Sequence, residues 1–469
     1  MEQFQLKAQP PSLADFHGAL RICRENPRYF ANDAGKPVYL TGSHTWSNMQ
    51  EYLGPDPDRI FDYPAYLDWM QEHGFNFMRG WIWEQASFDN FTAKKVRIGP
   101  HPYARTGPGY ALDGELRFDL DTFNQAYFDR LRRRIIQAGE RGIYVSVMLF
   151  NRWSMNTNRI DGAIPWNGHP FHKSNNINGL DGDPMGIGGR LIHTLTIPEV
   201  TKYQEAYIRK VIDTVQDLEN VLFEIGNEHY EDSWPWQYHL VQFIHACEAN
   251  NPLQHPVGIT SGGGEPDAIT NLQLWQSPAD WIAPRDEKGM SYKYNPVAAD
   301  GSKVILTDTD HLWGLGGTTG WVWQSLTRGL NPILMDPYEP VYGMENFGVE
   351  AWALVNNRDH PIWEPIRRNM GYAKIYADRI DLALAVPRPE LASSGYCLAH
   401  YGDEYLVYFQ DQRDVSIDLG DQSCQFSVEW LNPENGAGFR DNHLSTPNWN
   451  TLISPFADPA AVVYLKRLD

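Results

Sequence analysis

Between Pro37 and Leu384 the chain alternates short, unbroken apolar runs with stretches whose apolar residues recur at helical spacing. This alternation restricts the fold more than any other feature. The apolar runs predict strands over Pro37–Gly42, Phe75–Arg79, Ile143–Phe150, Val221–Ile225, Val257–Thr260, Trp281–Ala283, Val304–Thr307 and Pro332–Met335. Helical spacing falls between them over Tyr63–His73, Phe123–Arg141, Glu199–Leu218, Trp236–Glu248, Gly320–Leu330 and Ile362–Leu384. Strands that are apolar throughout, without alternation, suit a parallel sheet covered on both faces. Eight such strands, most followed by a helix, predict a (β/α)8 TIM barrel. A doubly wound open sheet is the alternative, but no glycine-rich phosphate loop follows the first strand.

After Pro387-Arg388-Pro389 the period changes to two. Glu404–Phe409, Val415–Leu419, Phe426–Trp430 and Ala461–Leu465 alternate and are separated by turn clusters such as Asn432–Gly436. The expected organisation is therefore a barrel over residues 1–385 and a small antiparallel β-sandwich over 386–469. With 469 residues the chain buries enough surface to need neither metal nor disulfide. The four cysteines (Cys23, Cys247, Cys397, Cys424) form no CxxC and are expected free; Cys397 and Cys424 are the pair that can share a domain.

A net charge of −20 speaks against nucleic acid or an anionic membrane as partner and accords with a neutral substrate. No run of ~18 apolar residues predicts a membrane helix. Met1–Lys7 lacks a charged-then-apolar leader, so a cytoplasmic location is expected. Aromatics reach 13%, with 17 Trp. Such rings either fill a core or line a cleft where their faces meet the C–H faces of sugars.

In a TIM barrel, reacting groups stand at the C-terminal strand ends. The fourth strand supplies Glu224-Ile225-Gly226-Asn227-Glu228, where a period of two puts Glu224, Gly226 and Glu228 on one face with Glu228 at the mouth. The seventh supplies Asp308 and Asp310, again expected on one face. Acids just past an apolar strand are expensive to bury unless they line a polar site. Two carboxyls are what glycosidic hydrolysis requires. Further candidates line the same mouth: His44 and Trp46 after strand one; Trp81 and Glu84 after strand two; Asn151, Arg152 and Trp153 after strand three; Asn227; His311 and Trp313 after strand seven; Asp336 and Tyr338 after strand eight. Two long connections, about Trp81–Asp121 and Asn151–Pro198, rise from this face, and the second is rich in Gly and Asn. Loops of that length are usually functional; by closing one end of a cleft they favour exo action.

These residues resemble a known group. Phe223-Glu224-Ile225-Gly226-Asn227-Glu228 is similar to the Asn-Glu signature of the clan-A retaining glycoside hydrolases, and Gly74-Phe75-Asn76-Phe77-Met78-Arg79 to the clan's second strand. Gly35–Trp46 and Asn369-Met370-Gly371-Tyr372 resemble a cellulase-like group carrying a C-terminal β-domain of the collagen-binding type. The resemblance implies an oligosaccharide or glycoside as substrate, Glu228 as acid/base, a strand-seven nucleophile steadied by Arg79, and Asn227 on the sugar 2-hydroxyl. It implies no cofactor and no metal. The clan's strand-seven nucleophile is Glu, whereas here Asp308 or Asp310 stands there. Retaining chemistry wants carboxyls roughly 5–5.5 Å apart and inverting chemistry roughly 6.5–9.5 Å, so the shorter Asp leaves both open. Two rival readings remain. Asp308, Asp310, His311 and His44 have the ligand types of a divalent-metal hydrolase. Alternatively, the barrel is inactive and only binds carbohydrate.

Overall fold

The computed structural model describes residues 2–13, 16, 18–53, 60–89, 95–155, 164–262, 268–340 and 354–468. Parts of both long connections (90–94 and 156–163) therefore lie outside the described residues. Eight parallel strands close a barrel: β1 Gly42–His44, β2 Phe77–Gly80, β3 Tyr144–Asn151, β4 Val221–Asn227, β5 Val257–Thr260, β6 Trp281–Ala283, β7 Val304–Asp308 and β8 Asn331–Met335. Each pairs with its sequence neighbours, and β8 pairs with β1. The helices α1 Tyr63–Glu72, α2 Gln125–Gly139, α3 Pro198–Val215, α4 Trp234–Glu248, α5 Asn271–Gln276, α6 Thr319–Thr327 and α7 Trp363–Arg379 follow β1 to β5, β7 and β8 respectively.

One strand differs from its sequence pattern. The first barrel strand begins at Gly42, not Pro37, because Pro37–Val38 pairs with Phe30–Ala31 in a small separate sheet. The amides of Leu40 and Thr41 donate instead to the side chains of Asn331 and Asn76, each at 3.0 Å. Side-chain acceptors thus replace a ladder at the barrel floor. Gly42 is required there, since a Cβ would come within 1.7 Å of the Phe77 carbonyl oxygen.

The connection from β2 to α2 is not irregular. It carries the hairpin Tyr103–Tyr110 with Leu116–Phe123, and a small sheet in which Lys95–Gly99 lies between Glu51–Leu53 and Ser87–Asp89. The barrel interior changes character along its axis. Phe77, Tyr144, Leu222, Trp281, Val304, Leu306 and Ile333 form one apolar cluster. Further along the same strands stand Arg79, Glu224 and Asp308, all buried. Most of the described tryptophans are buried, so the aromatic excess is mainly core.

The C-terminal strands are β9 Val386–Pro387, β10 Cys397–His400, β11 Glu404–Phe409, β12 Asp414–Asp418, β13 Gln425–Leu431, β14 Ala437–Leu444, β15 Trp449–Ile453 and β16 Ala461–Arg467. A seven-stranded antiparallel sheet runs β14-β13-β16-β11-β10-β9, and its outer edge beside β14 is the N-terminal strand Glu2–Gln5. The β12–β15 ribbon covers the sheet over an apolar core including Phe409, Val415, Ile417, Phe426 and Leu452. The sheet docks on α7. Glu429 accepts from Tyr376 (2.7 Å) and Arg379 (2.6 Å), and Asn369 bridges the Trp323 indole (2.7 Å) to the Pro433 carbonyl (2.8 Å). The four cysteines are free.

Candidate active site

The site is built on Arg79. Strand β2 directs this guanidinium into the barrel, where it is 2% exposed. Its Nε donates to both oxygens of Glu224 (3.1 and 2.9 Å), and Nη2 donates to Glu224 Oε1 (2.6 Å) and Asn227 Oδ1 (2.8 Å). Nη1 donates to Asp308 Oδ2 (3.2 Å) and Asp310 Oδ2 (3.1 Å). All of the donor groups an arginine owns are thereby engaged. Burial alone pulls its basicity down, but the surrounding carboxylates raise it further, so the group stays charged.

Asp308 closes β7 and Asp310 lies in the following turn, Thr309–His311. The turn, not strand alternation, brings both acids to Arg79. Asp308 Oδ1 accepts the amide of Asp310 (2.9 Å), and His44 Nε2 donates to it (3.3 Å). The two acids are driven apart. Burial opposes ionisation of Asp308, yet His44 and Arg79 outweigh it and hold the group well below the usual carboxylate range. Burial also opposes ionisation of Asp310, and there the charge of Asp308 adds to it; despite Arg79 the group is raised. The surroundings thus shift two neighbouring carboxyls in opposite directions, as expected of two acids that share one cation.

On β4 the period-two expectation fails beyond Gly226. The strand ends at Asn227, and Glu228 adopts a left-handed backbone (φ 54°). Asn227 therefore joins Glu224 on Arg79, while Glu228 leaves the strand direction and keeps 18% side-chain exposure. Its Oε2 lies 3.7 Å from Arg152 Nη2. A left-handed glutamate is strained, and such strain gathers at functional sites. Gly226 permits the turn: a Cβ there would meet the Phe150 carbonyl at 2.3 Å and the His229 ring at 2.5 Å.

Aromatic rings wall the cluster. Trp81 stacks on His44 at 5.3 Å and on Trp46 at 5.8 Å, and Arg79 lies 5.2 Å over Trp81. His311 Nε2 donates to Asn227 Oδ1 at 3.3 Å; burial first, then Arg79, pushes this imidazole down to about 3, so it is neutral. Four buried ring nitrogens of the wall have no partner among the described residues: His44 Nδ1, Trp46 Nε1, Trp81 Nε1 and His311 Nδ1. Trp313 is half-buried, with Tyr294 edge-on at 6.2 Å and Lys293 at 5.0 Å from its ring.

Other sequence candidates do not join the cluster. Both oxygens of Asp336 are held by Arg367 (2.8 and 2.7 Å), and Tyr338 packs among Phe61, Tyr66 and Trp69. The Asn151 side chain bonds the Ile82 carbonyl and the Trp153 amide. Trp153 itself packs edge-on against Trp83 and Phe88. Glu84 is buried beneath the long connections between His169 (3.3 Å) and His193 (3.0 Å). Glu224, the main partner of Arg79, is the residue sequence reasoning undervalued. Its signal was present: a glutamate inside an apolar strand needs a buried cation. Among the described residues no group of three or more His, Cys, Asp or Glu side chains is arranged to hold a metal ion. No described helix is long and apolar enough to cross a membrane.

Two family models match parts of the chain: an apiosidase-like catalytic domain over residues 24–173, and a domain of unknown function, DUF6298, over residues 99–282. No curated protein matches the sequence. Among solved structures, a candidate glycoside hydrolase from Bacteroides vulgatus ATCC 8482 aligns with a TM-score of 0.63 and 16% identity, covering 97% of this chain and 83% of the other. A glycoside hydrolase family 5 protein from the same organism aligns with a TM-score of 0.59 and 14% identity, covering 98% and 95%. A third structure, described as a glycoside hydrolase, gives 0.58 and 12%, covering 98% of each chain. At these identities the likeness establishes the shared fold.

Proposed function

We propose that this chain is a glycoside hydrolase that cleaves O-glycosidic bonds with Glu228 as acid/base and Asp308 as nucleophile. One observation carries the reading: four buried ring nitrogens without partners among the described residues lie in the wall around an ionised aspartate at the strand ends. Buried polar atoms are normally satisfied, and sugar hydroxyls, which donate and accept, match them. The apiosidase-like match over residues 24–173 and the glycoside hydrolase fold neighbours support the same class.

In this mechanism the Glu228 carboxyl gives its proton to the leaving oxygen as the glycosidic bond breaks. Asp308 attacks the anomeric carbon, forming a glycosyl ester. Water then cleaves that ester, surrendering a proton to Glu228 and regenerating both groups. Arg79 and His44 keep the free Asp308 carboxylate ionised before attack and after the ester is cleaved. Asp310, raised by burial and by the charge of Asp308, shares Arg79 with the nucleophile. Asn227 has its oxygen occupied by Arg79 and His311, so its amide N–H faces the 2-hydroxyl. Retention of configuration follows from the covalent step. Exo action on a small terminal sugar such as apiose is supported by the near-complete burial of Asp308 and Asp310, whose side chains are 3% and 7% exposed. The C-terminal sheets serve to buttress α7.

The test is a panel of aryl glycosides and natural glycans that includes apiosides, with the product anomer read by NMR. Glu228→Gln and Asp308→Asn should each lower kcat by roughly 10³-fold or more. Near-normal turnover by either variant, or binding without turnover by the parent protein, overturns the reading.

A further inference from the structure

Behind Glu228, outside the reacting cluster, lies a second buried polar assembly centred on Glu84. Its Oε1 accepts the amide of Asn151 (2.7 Å) and lies 3.0 Å from His193 Nε2; its Oε2 lies 3.3 Å from His169 Nε2. The Nδ1 of His169 accepts the Phe171 amide (3.0 Å), which leaves its Nε2–H to donate to Glu84. The Glu84 carbonyl accepts from His101 (2.6 Å), and its amide donates to Ser154 (3.1 Å). One residue, through its side chain and its backbone, thus gathers the ends of β2 and β3 and both long connections.

Two routes lead from this hub to Glu228. Asn151, whose amide is held by Glu84, is followed by Arg152, and Arg152 Nη2 stands 3.7 Å from Glu228 Oε2. His193 stacks on Trp236 (4.6 Å) and meets the ring of His229 edge-on (4.7 Å). His229 follows the left-handed Glu228, and neither of its ring nitrogens has a partner among the described residues. Packing alone, not hydrogen bonding, holds that ring against Gly226. The position of His193 therefore sets where His229, and the strained turn beside it, can lie.

We infer that Glu84 is a positioning residue for Glu228, aiming its carboxyl at the leaving oxygen through Asn151–Arg152 and through His193–His229. The inference rests on the acid/base reading of Glu228. Burial opposes ionisation of Glu84, but His193 and His169 overcome it and hold the carboxyl below its usual range, so every lone pair it presents is an acceptor. A glutamine would set an NH2 against donors already committed and move the ring of His193 or His169.

The leaving group separates positioning from general structural damage. Protonation of a poor leaving group is essential, whereas a dinitrophenolate departs without it. In the full-length protein, Glu84→Gln should lower kcat on an alkyl glycoside at least tenfold more than on the 2,4-dinitrophenyl glycoside of the same sugar. KM on the activated substrate should stay within threefold. His193→Gln supplies a second variant should the first misfold, and circular dichroism with a thermal midpoint accompanies both. Glu228→Ala run on the same pair is the control. If it shows the leaving-group difference and neither other variant does, the Glu84 inference falls and Glu228 stands. If Glu228→Ala shows no difference, the acid/base reading falls and takes the inference with it. Equal losses on both substrates in the Glu84 and His193 variants mean a merely structural role and overturn the proposal.

Discussion

Arg79 and Glu224 form a buried ion pair across the barrel, with Nη2 and Oε1 2.6 Å apart and both side chains almost wholly removed from solvent. The pair neutralises the guanidinium from one side. On its other side Asp308 and Asp310 share what field remains, which holds the first low and leaves the second raised. Removing the Glu224 carboxylate weakens its hydrogen bonds with Arg79, which keeps its contacts to Asp308 and Asp310. Glu224→Gln should therefore lower unfolding stability by about 1–3 kcal/mol, read by chemical denaturation. A loss below about 1 kcal/mol would show that solvent reaches the pair.

The two strand-seven acids are predicted to respond unequally to amide substitution. Asp308→Asn removes the carboxylate proposed as nucleophile, whereas Asp310→Asn changes a neighbouring carboxyl that ionises less readily than usual. The first should depress kcat by orders of magnitude, the second by roughly tenfold or less. Steady-state kinetics at pH 6 on one aryl glycoside decides it, and equal losses would contradict the ordering of their protonation.

Stability should depend on pH in opposite senses at two places. Asp308 and Glu84 ionise more readily folded than unfolded, so their contribution is full above the unfolded carboxylate range near pH ~4 and is lost as pH falls toward their folded values. Asp310 is raised, so it favours the folded state while protonated, and that contribution is lost as pH rises through its folded pKa. In thermal melts from pH 3 to 8, Asp310→Asn should abolish the decline on the upper side and leave the acid limb. A decline of unchanged size in that variant would assign it elsewhere.

Glu228 holds a left-handed backbone that glycine adopts freely. Glu228→Gly should therefore inactivate the protein while raising its stability by about 1 kcal/mol. Calorimetry that finds the variant less stable than the parent would show that the Arg152 contact outweighs the strain.

Asp336 offers a contrast within the sequence candidates. Its carboxylate is fully engaged by Arg367, so Asp336→Ala should cost about 3–5 kcal/mol of stability and leave KM within twofold in the folded fraction. A large rise in KM without loss of stability would return Asp336 to the sugar site.

The amino-acid sequence by itself determined the barrel and the antiparallel C-terminal sheets. Apolar periodicity is local and survives without knowledge of contacts, so most barrel strands and helices lie near where the pattern predicts; the first strand starts late, α7 ends at Arg379 rather than Leu384, and α5 and the Tyr103–Phe123 hairpin carry no readable pattern. There Asn76 and Asn331, distant in sequence, cap the amides of Thr41 and Leu40 and end the ladder early. The N-terminal strand was unreadable for the same reason: Glu2–Gln5 becomes a strand only because the edge of β14 accepts it. At the site, Arg79, Asp308 and Asp310 were legible as strand-end charges. The opposite shifts of the two aspartates were not, because they depend on burial and on distances to Arg79 and His44. Nor was the departure of Glu228 from period two, which is decided by Gly226 packing against Phe150 and His229. Side-chain type announces what chemistry is available; only through-space burial and charge decide which group carries the proton.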